Sequence, residues 1–179
     1  AKAEVLLGVA VYPVDGEDPE TLIKNADIAM YAAKNKGKNE SVFCSPKMKN
    51  DVVKKMKLTN KLYRAMENNE LYLQYQPQIN VETKEIIGFE ALLRWNNAEY
   101  GLISPEIFIP LAETTGMIVP IGLWVFKTVC EQCEMCRKVF NKNYRISINL
   151  SLEQLKDANF IRQISKIIED TNTVPEHLQ

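Results

Sequence analysis

Two hydrophobic periods alternate along the chain. Residues 5–13, "VLLGVAVYP", form a nearly continuous apolar run, as expected of a strand covered on both faces. "DGEDPE" then predicts a turn, with Asp18 as the N-cap and Pro19 in the first helical position. Leu22, Ala26, Ala29, Met30 and Ala33 follow at helical spacing, and Lys34, Lys36 and Gly37 close that helix. "SVFC" predicts a short strand, so the chain opens as β-α-β, too little to form a domain alone. A second helix is expected over 47–69, with Val52, Met56, Leu62 and Met66 along one stripe. Six lysines and one aspartate lie between Lys47 and Lys61 with no aromatic among them, which describes a solvated connecting helix better than a nucleic-acid face. The domain boundary is placed here, giving 1–46 and 47–179.

Beyond it the periods switch repeatedly. "LYLQYQPQI" and "KEIIGFEALLRW" read as strands joined by a short polar turn over 81–84, and so as a hairpin. "SPEIFIPLAETTG", "IGLWVFKTVCEQCEMCRKVF" and "LEQLKDANFIRQISKIIEDTN" read as helices, with the strand "YRISINLS" before the last. Strands alternating with helices indicate α/β architecture with parallel units. Side chains alternate across a strand, so Tyr72, Gln74 and Gln76 share one face; Gly88, Glu90, Leu92 and Arg94 another; and Arg145, Ser147, Asn149 and Ser151 a third. Each strand thus pairs an apolar face with a face holding polar groups. If helices cover the apolar side, the polar side looks inward, as in a barrel, where chemistry gathers at the carboxyl ends of strands. Gln76, Arg94 and Asn149 are expected there.

Glu90 and Arg94 are ~13 Å apart along an extended strand, too far for a direct ion pair but suited to two parts of one ligand. Glu90 with Asn149 forms an oxygen-only set of the kind Mg²⁺ or Mn²⁺ prefers. An inward network of hydrogen-bonded polar groups fits the same pattern.

Composition narrows the classes. Hydrophobic residues make up 46% and charged ones 25%, which excludes a disordered chain. The net charge of −1 leaves no global field for a nucleic-acid polymer or an anionic membrane. The charge-free run between Glu113 and Lys127 is too short for a bilayer, and no signal peptide opens the sequence. With four cysteines and no secretory context, free thiols in the cytoplasm are expected. Cys130, Cys133 and Cys136 repeat every third residue inside a helical run, where they serve packing better than metal binding. The single histidine, His177, lies in a polar tail, so no Ser-His-Asp or Cys-His set can be assembled.

Two families account for these stretches. "LLGVAVYPVDGEDPETLIKNADIAMYAAKNKGKNESVF" resembles the C-terminal end of a GGDEF domain, the diguanylate cyclase family, and "NADIAMYAAKNKGKN" is its most specific run. "LYLQYQPQINVETKEIIGFEALLRWN", "GLISPEIFIPLAETTGMIVPIG" and "ISINLS" resemble the first half of an EAL domain, the cyclic di-GMP phosphodiesterase family. The resemblance implies the β-α-β end of a nucleotide-cyclase-like α+β domain, then the first half of a TIM-like β/α barrel with a reversed first strand. It implies metal-dependent hydrolysis of cyclic di-GMP to the linear dinucleotide, on Mg²⁺ or Mn²⁺ in a two-ion site. By motif position Glu90 and Asn149 are catalytic metal ligands, Arg94 holds a substrate phosphate, and Gln76 lies at the pocket. Lys34 and Lys38 match GGDEF positions that contact a nucleotide triphosphate. The expected partners are cyclic di-GMP, GTP at a complete GGDEF domain, and a second copy in a homodimer.

The departures matter as much. The GGDEF motif is absent from this sequence, as are the family's second glutamate, its Asp-Asp pair, its lysine and its final glutamate. "WNNAEYG" replaces the more usual Asn-His-Pro wording at Asn97 and Ala98. The chain is therefore expected to be a piece of a longer phosphodiesterase, cytoplasmic or anchored through another region, and inactive by itself. The alternative is a catalytically silent cyclic di-GMP receptor, which need not keep metal ligands.

Overall fold

The computed structural model describes residues 5–36, 40–140 and 144–179. Its contacts divide the chain into two compact units, 1–58 and 59–179.

In the first unit β1 (Leu7–Val9) runs parallel to β2 (Ser41–Phe43), with α1 (Pro19–Lys36) as the crossover. β1 is shorter than the apolar run predicts. Asp15 ends it by folding the chain back: its carboxylate accepts the Val11 N–H at 2.9 Å and the Lys49 ammonium at 3.1 Å. Its carbonyl accepts the Asn25 amide. Asp18 caps α1 as its position predicts, accepting the Thr21 N–H at 2.9 Å. Ala29, Ala33 and Val42 form the core, with Leu6, Ala32, Cys44 and Met48 against it. A β-carbon on Gly8 would lie 2.1 Å from the Ala26 carbonyl oxygen, so glycine is what lets β1 and α1 approach this closely. Met30 is 45% exposed and faces away from that core.

The connecting helix α2 (Pro46–Ala65) ends earlier than 69 because Asn69 takes a left-handed conformation, φ 54°. Its buried stripe is Leu58, Leu62 and Ala65; Met56, expected on it, is exposed.

In the second unit β4 (Ile86–Asn97) is central. β3 (Leu71–Ile79) lies antiparallel along one edge, joined by a turn in which Asn80 Oδ1 accepts the N–H groups of Glu82 and Thr83. Along the other edge lie β6 (Arg145–Ile148), parallel, and β5 (Gly101–Ile103), antiparallel. β5 was not anticipated, being too short to show a period. α3 (Pro105–Thr115) and α4 (Ile118–Phe140) cover one face of the sheet. Ala91, Trp95, Phe108, Ile121, Val129 and Ile146 are buried there, with Trp95 and Phe108 edge to face at 5.7 Å. The last expected helix is two, α5 (Leu152–Leu155) and α6 (Phe160–Thr171). Asp157 Oδ1 accepts the Asn159 N–H at 2.8 Å, and this turn competes with helix continuation.

Among the described residues no single helix is long and apolar enough to cross a membrane. The four cysteines are free. Cys130 and Cys133 are buried packing residues of α4, and burial pushes the Cys133 thiol up to about 12. His177 lies in a short 3₁₀ turn over Pro175–His177.

Candidate functional site

Strand alternation puts Gln74, Gln76 and Gln78 of β3, Glu90 and Arg94 of β4, and Ser147 of β6 on one face. The register brings them together: Gln76 lies opposite Glu90, and Glu90 opposite Ser147. Asn149, just past the carboxyl end of β6, donates its Nδ2 to Glu90 Oε1 at 2.7 Å across 59 positions of sequence. Gln78 Nε2 donates to Ser147 Oγ at 3.2 Å.

Arg94 and Glu90 do not pair with each other. Arg94 Nε donates to Gln74 Oε1 at 2.8 Å and Nη1 to the Leu93 carbonyl at 2.9 Å. That leaves Nη2 and the outer edge of the guanidinium to an acceptor such as a phosphate, for which its planar fork is suited.

Gln76 corrects an expectation. Because β3 runs against β4, the carboxyl end of β3 lies beside the amino end of β4, so Gln76 sits mid-sheet beside Glu90 and not at the Arg94 end. Tyr72 is the residue opposite Arg94, and Gln74, opposite Leu92, reaches the guanidinium diagonally. The same parity that singled out Gln76 contains Gln74; only the strand direction separates them.

On the opposite face of the sheet, beneath α3 and α4, lies a cleft of about 350 Å³ walled by Ala91, Leu93, Ile109, Ile121, Val125 and Ile148, with Arg94 and Asn149 also among its lining residues. Glu113 and Ser151 enter it, with Ser151 Oγ donating to Glu113 Oε1 at 2.5 Å. Neither was singled out by the sequence; Ser151 followed by Gln154 matches a helix-capping box, and that was the available signal.

Glu90 and Asn149 provide a carboxylate and an amide already in contact. Turning the Asn149 amide by half a rotation would present two oxygens to one point, a donor set that fits a hard divalent cation. Among the described residues no group of three or more His, Cys, Asp or Glu gathers to hold a metal. In the first unit Lys34 is exposed on α1, and Lys38 lies outside the described residues.

Comparisons with known proteins identify the family. The EAL domain model matches residues 59–179 and the diguanylate cyclase, GGDEF domain model residues 1–40. The chain is 37% identical over 172 residues to the bifunctional diguanylate cyclase/cyclic di-GMP phosphodiesterase MucR of Pseudomonas aeruginosa, covering 96% of this chain and 25% of that protein. It is 36% identical over 166 residues to the cyclic di-GMP phosphodiesterase PdeR of Escherichia coli, again covering 25% of that protein and 93% of this one. The chain thus spans about a quarter of the length of these relatives. The structure of the PaMucR phosphodiesterase in complex with c-di-GMP superimposes with a TM-score of 0.65 at 37% identity, over 68% of this chain and 49% of that one. With two thirds of its length matched by the EAL model and a GGDEF stretch ahead of it, the chain belongs to the EAL domain family.

Proposed function

We propose that the chain is a segment of a cyclic di-GMP-specific phosphodiesterase, which hydrolyses one phosphodiester bond of the cyclic dinucleotide to leave the linear one. The observation that carries this is the Glu90–Asn149 contact at 2.7 Å, made from two parallel strands on the sheet face that also bears Arg94. In this reading β3, β4 and β6 are barrel strands, β3 the reversed first one, and the polar face points into the barrel. The GGDEF part is taken to end after residue 46, and α2 carries the chain from there into the second compact unit, which begins at residue 59.

Glu90 and Asn149 would hold a divalent ion, Mg²⁺ or Mn²⁺. When bound, such an ion activates water and offsets charge on the phosphoryl group. Arg94 binds and orients a phosphate of the substrate, held ready by Gln74. Gln76 lies within the pocket beside Glu90, and Lys34 is a residual nucleotide contact of the GGDEF part. Since the family's second glutamate and its Asp-Asp pair are absent from this sequence, the 179 residues alone are expected to show no turnover.

The test is hydrolysis of cyclic di-GMP by the longer protein that carries this segment, with Mg²⁺ or Mn²⁺. Glu90→Gln is expected to abolish turnover, and Arg94→Ala to raise KM by roughly tenfold or more, the loss of a charged phosphate contact. Undiminished hydrolysis by Glu90→Gln sinks the reading. Tight binding of the dinucleotide by the unaltered protein without any turnover assigns it instead to a silent receptor.

A further inference from the structure

Glu70 takes no part in the site described, yet its carboxylate accepts two side-chain donors from the end of β4. It is the residue immediately before β3, at the end of the turn that follows α2. Its Oε2 accepts two side-chain donors, Trp95 Nε1 and Asn97 Nδ2, each at 2.9 Å. Its main chain is tied as well: its N–H donates to the Ala65 carbonyl at the last turn of α2, and its carbonyl accepts the Asn96 N–H, both at 2.9 Å. Partial burial pushes the Glu70 carboxyl up. The donors of Trp95, Asn97, the Ala98 backbone and Asn68 outweigh that and hold it below the ordinary glutamate value.

Both donors are themselves fixed. Trp95 is fully buried and packs edge to face on Phe108; Asn97 is 3% exposed. Asn97 Oδ1 accepts the N–H groups of Glu99 and Tyr100 at 3.1 and 3.2 Å, which closes the turn between β4 and β5. A second link runs from the same part of α2 to the same turn: Lys61 Nζ lies 2.7 Å from Glu99 Oε2 and 6.0 Å over the Tyr100 ring. The carboxyl end of β4 is therefore held from the end of α2 through one half-buried carboxylate and one exposed ion pair. Arg94 is the residue immediately before Trp95 in β4, so a shift of the anchored Trp95 backbone is passed directly to it.

We propose that Glu70 is a positioning residue for Arg94, clamping the carboxyl end of β4 to the end of the connecting helix so that the guanidinium meets its phosphate in register. A neutral side chain there cannot supply a charged oxygen to two buried N–H groups at once, and the end of β4 would shift to find other acceptors. A displacement of α2 would reach Arg94 by the same route. The assignment rests on the phosphodiesterase reading only for what Arg94 binds; the clamp itself does not.

Two measurements separate these. In ¹⁵N-labelled chain, Glu70→Gln is expected to move the Arg94 Nε–H resonance, the proton that Gln74 accepts, together with the Trp95 indole resonance. In the longer protein the same variant is expected to raise KM for cyclic di-GMP roughly fivefold or more, the lower range of site-to-site coupling, with kcat changed less than twofold. A folded Glu70→Gln variant whose Arg94 resonance and KM both match the parent overturns the proposal. If that variant does not fold, Asn97→Ser, which removes one donor and keeps the carboxylate, is read by the same two signals. If the longer protein hydrolyses nothing, the phosphodiesterase reading fails, and the Arg94 resonance alone still decides the clamp.

Discussion

A β-carbon on Gly122 would stand 1.6 Å from Nε2 and 2.9 Å from Cδ of Gln154. Gly122→Ala must therefore eject this glutamine, which is 2% exposed and whose Oε1 accepts the Ser151 N–H at 2.7 Å. Losing that half of the capping box costs about 1 kcal/mol. Forcing a methyl group into a filled site costs about 1–3 kcal/mol. Against both, alanine is better than glycine inside a helix by about 1 kcal/mol, and Gly122 lies inside α4. The net expectation is a destabilisation of about 1–3 kcal/mol. In a Gln154→Ala background the obstacle and the cap are both gone, so Gly122→Ala should become neutral or stabilising by up to about 1 kcal/mol. Urea unfolding of the four proteins, followed by tryptophan fluorescence, gives the coupling as a double-mutant cycle. Additivity within about 0.5 kcal/mol would refute the argument, because it would mean that Gly122 and Gln154 do not compete for one volume. The consequence reaches the site, since Ser151 is held by Gln154, bonds Glu113 and follows Asn149 by two positions.

Two further outcomes follow from burial and charge. Cys130 and Cys133 should stay unmodified by a thiol reagent at pH 8 while the chain is folded and react once urea unfolds it; rapid native labelling of Cys133, whose thiol burial pushes up to about 12, would contradict the packing. Asp15 is held below its ordinary value of 3.8, chiefly by the Val11 N–H and then by Lys49. It therefore stabilises the first unit above that pH, and the contribution is lost as pH falls through the lowered value. A carboxyl ¹³C titration placing Asp15 at or above 3.8 would show the contact absent, and Asp15→Asn should flatten the acid limb of unfolding.

Local order was legible because it is local. Alternation over "LYLQYQPQI" needs only the geometry of one strand, and it yielded β3 with both ends in place. Asp18 before Pro19 marks a helix start whatever surrounds it, and the cap is made. The spacing of Cys130, Cys133 and Cys136 within a helical run favoured packing for a reason intrinsic to helices, and Cys130 and Cys133 are buried in α4. Motif likeness suggested the roles proposed for Glu90, Arg94 and Asn149, which no periodicity could supply. The helix break at Asp157 and Asn159 was also written locally, in two turn-forming side chains two positions apart, but a strong apolar period on either side masked it.

What the sequence by itself determined, then, was which side chains share a face of each strand or helix, and to which family the pattern belongs. Which of those side chains meet was decided only in the tertiary structure. Asn149 reaches Glu90 because β6 lies parallel to β4 in one register; a slip of one residue would turn Glu90's neighbour to the other face. Gln74 rather than Gln76 supports Arg94 because β3 runs the opposite way. Nothing in the one-dimensional pattern marks Glu70, and its two donors, Trp95 and Asn97, come to it only through the pairing of β3 with β4. The physical reason is that strand pairing and burial are contacts between distant segments. They are fixed by packing of the whole sheet against α3 and α4, and a one-dimensional pattern holds the candidates for such contacts without their partners.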